Sequence, residues 1–366
     1  MSRLYSDLKF SRHPEQIEAW RSHTVVAPVH VRIKPMNHCN HNCWYCAYRY
    51  DALTLGEDID LKDQIAPEKM DEIIDDVIDM GVKAVTFSGG GEPTLYKPLP
   101  DCVEKLAQGG VRVATLTNGS NLKGRIAEVF AAHGTWVRVS MDAWDGESYA
   151  KARGIKEDAF ENMMTNMRNF IALKSDCVLG VSFIIGHDNH NHVYDICSKL
   201  KDAGVDHVKL SGVVVGNEVN DNNTYHDEIR GTVESEIEKA LALGGNGFDV
   251  VNHYHALSER FEKDYTICPF LQYLTVIGAD CNVYTCQDKA YTDSGLLGSI
   301  KDRRFKDFWF SDENREALYA FDPSASCGHH CVAHGKNLAI LERLDGGENP
   351  AVPEHLNLDE DHGVFV

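Results

Sequence analysis

The sequence predicts an α/β protein made of a partial (β/α)6 barrel of the TIM type and a small C-terminal α+β domain rich in cysteine. Short β-branched segments alternate with longer amphipathic segments from about residue 29 to residue 245. Most of the amphipathic segments end at glycines, as helices commonly do. Strands that alternate with helices form parallel units, and their right-handed connections curl the sheet into a barrel.

The predicted strands of the barrel follow one another at the spacing of βα units. They are Val29–Ile33, Ala84–Phe87, Val111–Leu116, Trp136–Val139, Val178–Ile185 and His207–Val213. The predicted helices are Pro67–Met80, Pro98–Gln108, Asn121–Ala132, Asp158–Leu173 and Asn191–Ala203. Ligands of such folds bind at the loops that follow the strands, so candidate functional residues are sought there.

The sequence changes in character after about residue 245. We predict a further strand at Asp249–His255, a hairpin of Leu271–Ile277 and Asn282–Cys286, and one helix over Arg304–Tyr319. The predicted division is an N-terminal extension (1–28), the barrel (29–245), the cysteine-bearing domain (246–345) and an acidic tail (346–366). The tail is polar and rich in Pro and Gly, and we expect it to have no function.

Charge and composition exclude some classes of partner. The 366 residues include 36 Lys and Arg against 56 Asp and Glu, a formal net charge of −20. Nucleic acids and anionic membranes favour positively charged proteins, so neither is expected as a partner. No apolar stretch approaches the roughly 18 residues of a membrane span, and no signal peptide is visible. We therefore expect a cytoplasmic protein.

The 11 cysteines indicate metal binding rather than disulfides. Their number is odd and the expected compartment is reducing. Cys102, Cys177 and Cys197 stand alone among apolar residues and are expected to be buried as small hydrophobic side chains. The other eight cysteines form two sets.

The first set, Cys39, Cys43 and Cys46, directly follows the first predicted strand. Three thiolates within eight residues can bind one side of a metal centre. One coordination position of that centre then has no cysteine nearby. The spacing is compatible with an iron–sulfur cluster, and also with zinc if His41 or a distant residue completes the site. The next strand ends in Ser-Gly-Gly-Gly91-Glu92-Pro, where glycines let the backbone approach a ligand and the carboxylate can accept from an ammonium group.

CxxxCxxC after the first strand, followed by GGGEP after the second, resembles the signature of the radical S-adenosylmethionine (radical SAM) enzymes. The resemblance covers about residues 29–215. It implies that the first cysteine set binds a 4Fe–4S cluster whose fourth iron is chelated by SAM. It also implies that Tyr45 lies near the adenine and that Gly90, Gly91 and Glu92 meet the methionine amino group.

Four further residues are implied as SAM contacts by the same resemblance. Asn118 belongs to a Thr-Asn-Gly turn after the third strand, and Ser140 and Asp142 follow the fourth strand, where the family contacts the ribose or the methionyl part. Arg153 resembles an arginine that pairs with the SAM carboxylate. The alternative for Arg153 is an ordinary surface arginine.

The chemistry implied by the resemblance is radical chemistry. One electron from a reductant such as flavodoxin or ferredoxin reaches SAM through the cluster. The reduction potentials of iron–sulfur clusters in proteins range from roughly −700 to +450 mV. Cleavage of SAM gives a 5′-deoxyadenosyl radical, which abstracts a hydrogen atom from the substrate. The protein binds and orients SAM and the substrate, and it excludes water from the radical.

The second cysteine set resembles the SPASM/twitch extension of some radical SAM enzymes, which holds auxiliary 4Fe–4S clusters. Five cysteines are too few for two clusters with only cysteine ligands, so the twitch form with one auxiliary cluster is expected. By position its ligands would be Cys268, Cys286, Cys327 and Cys331. A zinc site with four cysteine ligands is the alternative.

Cys281 departs from the family pattern, which has glycine in this turn. Three roles are open for it: an ordinary turn residue, which we favour, a fifth ligand that competes with Cys286, or a thiol that returns a hydrogen atom to a substrate radical.

The loop after the fifth strand contains His187, Asp188, His190 and His192. His187 and Asp188 are candidate catalytic residues that could bind a polar substrate or move protons. The alternative is that Asp188 or Asn189 caps the next helix and that the histidines are solvated. Lys209 on the sixth strand would be functional if it pointed into the barrel, but alternation alone does not assign its face.

Three classes of function follow. The first is oxidation or epimerisation of a small polar molecule, such as a sugar, aminocyclitol or sugar nucleotide. The second is modification of a ribosomally made peptide or a protein side chain. The third is a zinc-binding module without enzymatic activity. Only about thirty residues precede the first strand, which is short for a peptide-recognition domain and favours the small molecule.

Overall fold

One ten-stranded sheet forms the frame of the part of the chain that the structure describes, residues 5–255, 258–346 and 360–366 of a computed structural model. The strands are β1 (His30–Ile33), β2 (Ala84–Phe87), β3 (Arg112–Thr117), β4 (Gly134–Ser140), β5 (Val178–Ile185), β6 (His207–Gly212), β7 (Asp249–His253), β8 (Leu274–Ile277), β9 (Asn282–Tyr284) and β10 (Leu296–Ser299). β1 to β7 are adjacent in sequence order and parallel. β1 to β6 are the six strands predicted for the barrel, and β7, which was predicted beyond the barrel boundary at residue 245, is a seventh strand of the same sheet.

The C-terminal hairpin continues the barrel sheet instead of forming a sheet of its own. β8 pairs with β1 in parallel, with His30 opposite Leu274 and Ile33 opposite Ile277. β9 and β10 then add antiparallel strands at the outer edge. The two cysteine-bearing parts of the chain therefore share one continuous hydrogen-bonded frame.

Helices cover the outer face of the sheet and occupy the segments before and after it. They are α1 (Pro14–Arg21), α2 (Pro67–Asp79), α3 (Leu99–Gln108), α4 (Gly124–His133), α5 (Gly146–Arg153), α6 (Asp158–Ala172), α7 (Val193–Ala203), α8 (Val219–Asp227), α9 (Arg230–Leu241), α10 (Ser258–Phe261), α11 (Phe305–Trp309), α12 (Asp312–Ala320), α13 (Pro323–Ser326), α14 (His334–Leu344) and α15 (Glu360–Gly363). None of the helices in the described residues is long and apolar enough to cross a membrane.

Periodicity predicts the barrel elements well and the shorter helices poorly. β2 and β5 have the predicted bounds, and the five predicted barrel helices are all present. The single helix predicted over Arg304–Tyr319 is wrong, because two helices, α11 and α12, lie there. Ser311 begins the second helix, since its hydroxyl accepts a hydrogen bond from the Asn314 amide at 3.2 Å and so favours a new helix start.

Alternation along β1 separates the core from the barrel lumen. Val31 and Ile33 have no exposed surface and belong to the main hydrophobic core. His30 and Arg32 alternate with them and line a cavity inside the barrel. Every second residue of a strand points to the same side of the sheet. The side chains that line the lumen are therefore alternate residues of the parallel strands.

The end of the predicted tail packs into the barrel, since His362, Phe365 and Val366 line the lumen cavity, so this segment does not form an unpacked tail. Its expected lack of function stays a prediction, and residues 347–359 of the predicted tail lie outside the described residues. Phe365 and Val366 are buried, with 7% and 4% of their surface exposed. Phe365 packs with Ala84 and Ala114 and meets the Trp136 ring edge-on. Lys9 donates a hydrogen bond to the carbonyl oxygen of Phe365 at 2.9 Å.

We expect Phe365→Ala to lower the free energy of unfolding by about 3 kcal/mol, because it removes a buried aromatic side chain and leaves a void. Phe310→Ala is the matched control, since 46% of Phe310 is exposed and its removal should cost less than about 1 kcal/mol. Denaturant unfolding of the two variants measures the difference. Equal losses would contradict the placement of Phe365 inside the barrel.

Candidate active site

The first cysteine set lies at the carboxyl end of the barrel strands, where such folds bind ligands. Cys39, Cys43 and Cys46 are partly exposed in the loop after β1, and all three line one cavity of about 310 Å³. The glycine loop after β2 and the ends of β3 and β4 line the same cavity. The structure thus brings together the two motifs that the sequence analysis singled out.

The glycine loop packs directly on the cysteine loop. A Cβ atom on Gly91 would lie 2.0 Å from the carbonyl oxygen of His38, and one on Gly90 would lie 2.4 Å from Oδ1 of Asn37. Neither distance is sterically possible without a shift, and at Gly91 the obstacle is backbone. The glycines are therefore required so that the two loops can approach each other.

Glu92 is buried and holds this edge of the barrel together. Its Oε1 accepts hydrogen bonds from the Thr94 amide at 3.0 Å and from the Thr117 hydroxyl at 2.6 Å, and its Oε2 accepts from the Asn118 amide at 2.7 Å. Burial raises the pKa of the Glu92 carboxyl. Glu92 lines the cavity as expected, yet its oxygens already join the glycine loop to the Thr-Asn-Gly turn. Its contact with the SAM amino group stays a prediction.

Asp142 joins the loops after three different strands. It accepts hydrogen bonds from the Tyr45 hydroxyl, from Arg153 Nη2 at 2.5 Å and from the Ile184 amide at 2.6 Å. The Asp142 carbonyl accepts from the side-chain amide of Asn189 at 2.9 Å. The end of β4 is therefore tied to the cysteine loop, to α5 and to the end of β5.

Arg153 is buried, so the alternative of an ordinary surface arginine is wrong. Only 4% of the residue is exposed, and its guanidinium pairs with Asp142 and contacts Cys43 Sγ at 3.5 Å. The rings of Tyr45 and Tyr149 each lie 5.7 Å from it. Its Nε has no hydrogen-bond partner among the described residues. Arg153 could therefore donate a further hydrogen bond to an anionic group in this cavity, which it lines.

The remaining predicted SAM contacts also line the cavity. Tyr45, Asn118 and Ser140 are among its lining residues, and Asn118 is anchored through its side-chain amide to Asn40 at 2.8 Å. The structure therefore gathers all eight predicted SAM residues around the first cysteine set. Their individual roles stay predictions.

Four of the five cysteines of the second set come together from three separate segments. Cys268 precedes β8, Cys286 follows β9, and Cys327 and Cys331 lie between α13 and α14. Burial, Asp288 and then the other three cysteines raise the pKa of the Cys286 thiol, which places all four thiols in one neighbourhood. Asn337 donates a hydrogen bond to Cys268 Sγ at 3.1 Å. Asp288, which lines the cavity of the first cysteine set, lies between the two sets.

Both cysteine sets are compatible with the ligation of an iron–sulfur cluster. Within the described ranges, no three His, Cys, Asp or Glu side chains are close enough to hold one metal ion. A cluster is bound through several irons, so its cysteine ligands need not converge on one point. The first set presents three cysteines on the wall of an open cavity, which matches a cluster with one iron free for another ligand.

Cys281, the fifth cysteine of the second set, lies apart from the four that come together. It occupies the turn between β8 and β9 with a φ of 60°, in the left-handed region that favours glycine. Burial raises its pKa, and the charged groups that act on it are Lys69, Asp280, Lys301 and Asp63 rather than another cysteine. It lines neither the cavity of the first set nor that of the barrel lumen.

The histidine-rich loop faces the mouth of the barrel more than its interior. The His187 ring packs against the Tyr225 ring at an angle of 32°, and one of its nitrogens lies 2.7 Å from the Tyr225 carbonyl oxygen. Asp188 pairs with Lys151 at 2.8 Å and lines an outer cavity of about 270 Å³ beside Tyr45. Asn189 is the buried residue of the loop, bound to Asp142 and to the Ile184 carbonyl. His187 and Asp188 as catalytic residues stay predictions.

A second large cavity, of about 320 Å³, fills the barrel lumen below the first. Arg32 on β1, Arg138 on β4 and Lys209 on β6 line it, so Lys209 does point inward. Leu116 and Gln287 line both this cavity and that of the cysteines. Arg32 and Arg138 were missed by the sequence analysis, although the His30-Val-Arg32-Ile-Lys34 alternation of a central strand was a usable signal.

Comparison with known proteins agrees with this geometry. The model of the radical SAM superfamily matches residues 33–197. Pre-heme d1 synthase of Dinoroseobacter shibae is 24% identical over an alignment of 348 positions that covers 86% of this chain and 83% of the relative. Fe-coproporphyrin III synthase of Methanosarcina barkeri is 26% identical over 57% of this chain, and GTP 3′,8-cyclase of Synechococcus elongatus is 27% identical over 48% of it. The chain spans about half the length of these last two relatives, 51% and 52%.

Solved structures show the same fold. Streptococcus suis SuiB bound to S-adenosylmethionine has a TM-score of 0.61 at 13% identity, covering 82% of this chain and 70% of SuiB. Native anSMEcpe with bound AdoMet has a TM-score of 0.56 at 17% identity, covering 84% of this chain and 90% of anSMEcpe. Residues 33–197, which contain both motif loops and the strands β2 to β5, therefore form a radical SAM domain. The radical SAM superfamily uses a 4Fe–4S cluster and SAM.

We expect Asp142→Asn to lower the free energy of unfolding by about 3 kcal/mol, because it leaves the buried Arg153 without its counter-charge. Asp188→Asn is the matched control. Asp188 pairs with Lys151, which lies in helix α5 as Arg153 does. The side chains of Asp188 and Lys151 are 56% and 69% exposed, so the loss in free energy of unfolding should stay below about 1 kcal/mol. Urea unfolding measures both. A difference of less than about 1 kcal/mol between the variants would contradict a central role for the buried pair.

Proposed function

We propose that this protein is a radical SAM enzyme with a C-terminal extension of the SPASM/twitch type, and that it abstracts a hydrogen atom from a small polar molecule bound in the barrel lumen and thereby oxidises or epimerises it. The observation that carries this proposal is the contact between two cavities. The cavity of the first cysteine set adjoins a polar cavity of about 320 Å³ in the lumen, and the two share Leu116 and Gln287. A substrate in the lumen would therefore lie next to SAM.

The first cysteine set would hold the SAM-binding 4Fe–4S cluster, and the eight lining residues described above would hold SAM. When bound, the cluster and SAM supply the 5′-deoxyadenosyl radical. The chain's own contribution is to position SAM and to keep water away. Buried Glu92 and Asp142 fix the loops around the cavity through hydrogen bonds, and Arg153 supplies a donor toward an anionic group. A one-electron reductant such as flavodoxin or ferredoxin is required as partner.

The second cysteine set would hold one auxiliary 4Fe–4S cluster through Cys268, Cys286, Cys327 and Cys331. Three of the four residues are buried, and the set lies against the barrel frame through the β1–β8 pairing. This placement suits electron transfer to or from a substrate in the lumen. We propose that Cys281 is a turn residue, since it lies in the left-handed turn and lines neither cavity.

The closed lumen favours a small substrate over a peptide. Phe365 and Trp136 close its lower end, and residues Tyr5, Ser6 and Asp7 line its wall. A sugar-like or aminocyclitol-like molecule suits the polar lining of the cavity. The alternative is a peptide maturase: solved structures of the same fold include SuiB bound to the precursor peptide SuiA and anSMEcpe with the Kp18Cys peptide. The outer cavity between Trp44 and Asp188 shares Tyr45, Asp142 and Ile184 with the cavity of the first cysteine set, so a peptide would approach SAM from there.

Simultaneous change of Cys39, Cys43 and Cys46 to Ala should halve the iron content from about eight atoms per chain and abolish SAM cleavage. Iron analysis after anaerobic reconstitution and chromatography of 5′-deoxyadenosine measure both effects. Cys102→Ala is the control, because Cys102 is buried in α3 and belongs to neither set. Formation of 5′-deoxyadenosine by the triple variant would overturn the assignment.

The pair Cys281→Ala and Cys286→Ala distinguishes a turn residue from a cluster ligand. Cys286→Ala should lose about half of the iron, whereas Cys281→Ala should keep all of it, because only Cys286 lies with the other thiols. Cys281→Gly should be as stable as the wild type or more so, since glycine adopts a positive φ without strain. Loss of iron in Cys281→Ala together with a harmless Cys286→Ala would reverse the ligand assignment.

A further inference from the structure

We propose that the lumen cavity binds a small organic molecule that carries at least two negative charges, and that Arg32, Arg138 and Lys209 hold its anionic groups. This inference rests on the proposed function, because it takes the lumen cavity as the substrate site. It narrows the substrate from a polar molecule to a phosphate- or carboxylate-bearing one.

The three cations converge from different strands. Arg32 lies on β1, Arg138 on β4 and Lys209 on β6, and all three line the same cavity. Cations on facing strands of a barrel point at one another across the lumen, a position that is unfavourable unless an anion lies between them. Lys9, Arg260 and Lys336 from outside the strands line the cavity as well.

The cavity lacks the acidic groups that would neutralise these six cations. In the part of the chain that the structure describes, none of the six is in an ion pair within 4.0 Å, although the protein as a whole has a net charge of −20. Asp7 is the carboxylate side chain of the described lining. Even if the carboxyl group of Val366 is counted as a second anion, the cations exceed the anions by four.

Several donors in this cavity have no partner among the described residues. They are Nε of Arg32 and Nε of Arg138, and Nδ1 of His207 is a further ring nitrogen without a partner there. Arg138 Nη1 donates to the Tyr5 hydroxyl at 3.2 Å, and the Tyr5 ring lies 5.4 Å from Lys209 Nζ. Buried donors without acceptors cost free energy, and the oxygens of a phosphate or carboxylate are suitable acceptors.

The pKa values of these groups agree with an excess of positive charge. Burial, and next to it repulsion by Arg138, lowers the pKa of Arg32 to about 10 and that of Lys209 to about 7. Burial followed by repulsion from Lys336 lowers the pKa of Lys9 to about 7. A bound dianion would reverse these shifts, because opposite charge favours the protonated form.

The position of the anion site relative to SAM follows from β1. Arg32 lines the lumen cavity, and Lys34, two residues further along the same face, lines the cavity of the first cysteine set. Lys34 is already bound to the Tyr48 hydroxyl at 2.6 Å and to the Gly89 carbonyl at 3.2 Å. The anionic groups would therefore lie deep in the barrel, and the rest of the molecule would extend upward to SAM.

The test is calorimetric titration of the anaerobically reconstituted protein with glycerol 3-phosphate and, separately, with succinate. SAM is present in saturating amount and no reductant is added, so the probe cannot occupy the SAM cavity and no turnover occurs. Uncharged glycerol is the ligand control. We expect at least one of the two dianions to bind and glycerol not to bind. Binding of glycerol 3-phosphate alone indicates that the natural ligand is a phosphate ester, and binding of succinate alone indicates that it is a carboxylate.

Arg32→Gln and Arg138→Gln should each weaken the binding of that dianion tenfold or more, as the loss of a charged hydrogen bond does. Arg125→Gln is the matched control, since Arg125 is an exposed arginine that lies outside the cavity. The variants should keep their iron, and their thermal midpoints without ligand should not fall, because a repelling cation has been removed. If Arg138→Gln fails to fold, Lys209→Met decides in its place.

Two results would overturn the inference: neither dianion binds the wild type, or binding is unchanged in the lumen variants. SAM cleavage, assayed in the same preparations with reductant, tests the proposed function separately. SAM cleavage without dianion binding would contradict only the proposed anion site. Dianion binding without any SAM cleavage would contradict only the proposed function.

Discussion

The buried carboxylate of Asp142 is the interaction on which the arrangement of the site depends. Three loops that follow different strands must stay close enough to enclose SAM, although loops at a barrel mouth have few apolar contacts of their own. Asp142 accepts from Tyr45, Arg153 and the Ile184 amide, and so fixes the cysteine loop, α5 and the end of β5 at one point. Because the pair with Arg153 is shielded from water, it contributes far more to this rigidity than the exposed pairs around it.

The continuous sheet sets the relation between the two cysteine sets. β8 lies beside β1, so the strand that precedes Cys39, Cys43 and Cys46 is hydrogen-bonded to the strand between Cys268 and Cys286. A hinge between two separate domains would let this distance vary. Electron transfer between two clusters is sensitive to distance, and a shared hydrogen-bonded frame keeps the distance constant.

The sequence predicts the parts of this protein that depend on local patterns. The strands β2 and β5 are short β-branched segments with glycine, proline or charged residues around them, and both were predicted to the residue. Motif order likewise identified the cysteine and glycine loops, because each motif is contained in a few consecutive residues. The break between α11 and α12 is not visible in the sequence pattern, because the helical periodicity continues through it. The feature that marks the break is the single hydroxyl of Ser311, which accepts a hydrogen bond from the Asn314 amide.

Contacts between distant residues were beyond local patterns. Arg153 could not be told from a surface arginine, because its counter-charge, Asp142, becomes its neighbour only when α5 folds back over the end of β4. The closure of the lumen by Phe365 was missed for the same reason, since the partner Trp136 is more than 200 residues away in the sequence. The inward-facing cations are an intermediate case: alternation along β1 shows that Arg32 shares a face with His30 and Lys34, but only the closed barrel shows which face that is.

The charge distribution reconciles an acidic protein with the anionic substrate that we propose. A net charge of −20 repels large polyanions such as nucleic acids, whose approach is governed by the field of the whole surface. That field is screened over about 10 Å at ordinary ionic strength, so a small dianion that reaches the barrel mouth is subject mainly to the groups nearest to it. Those groups are the cations of the lumen, which lie in a medium that screens charge far less than water does. An acidic exterior and a cationic interior therefore select for a small anion over a large one.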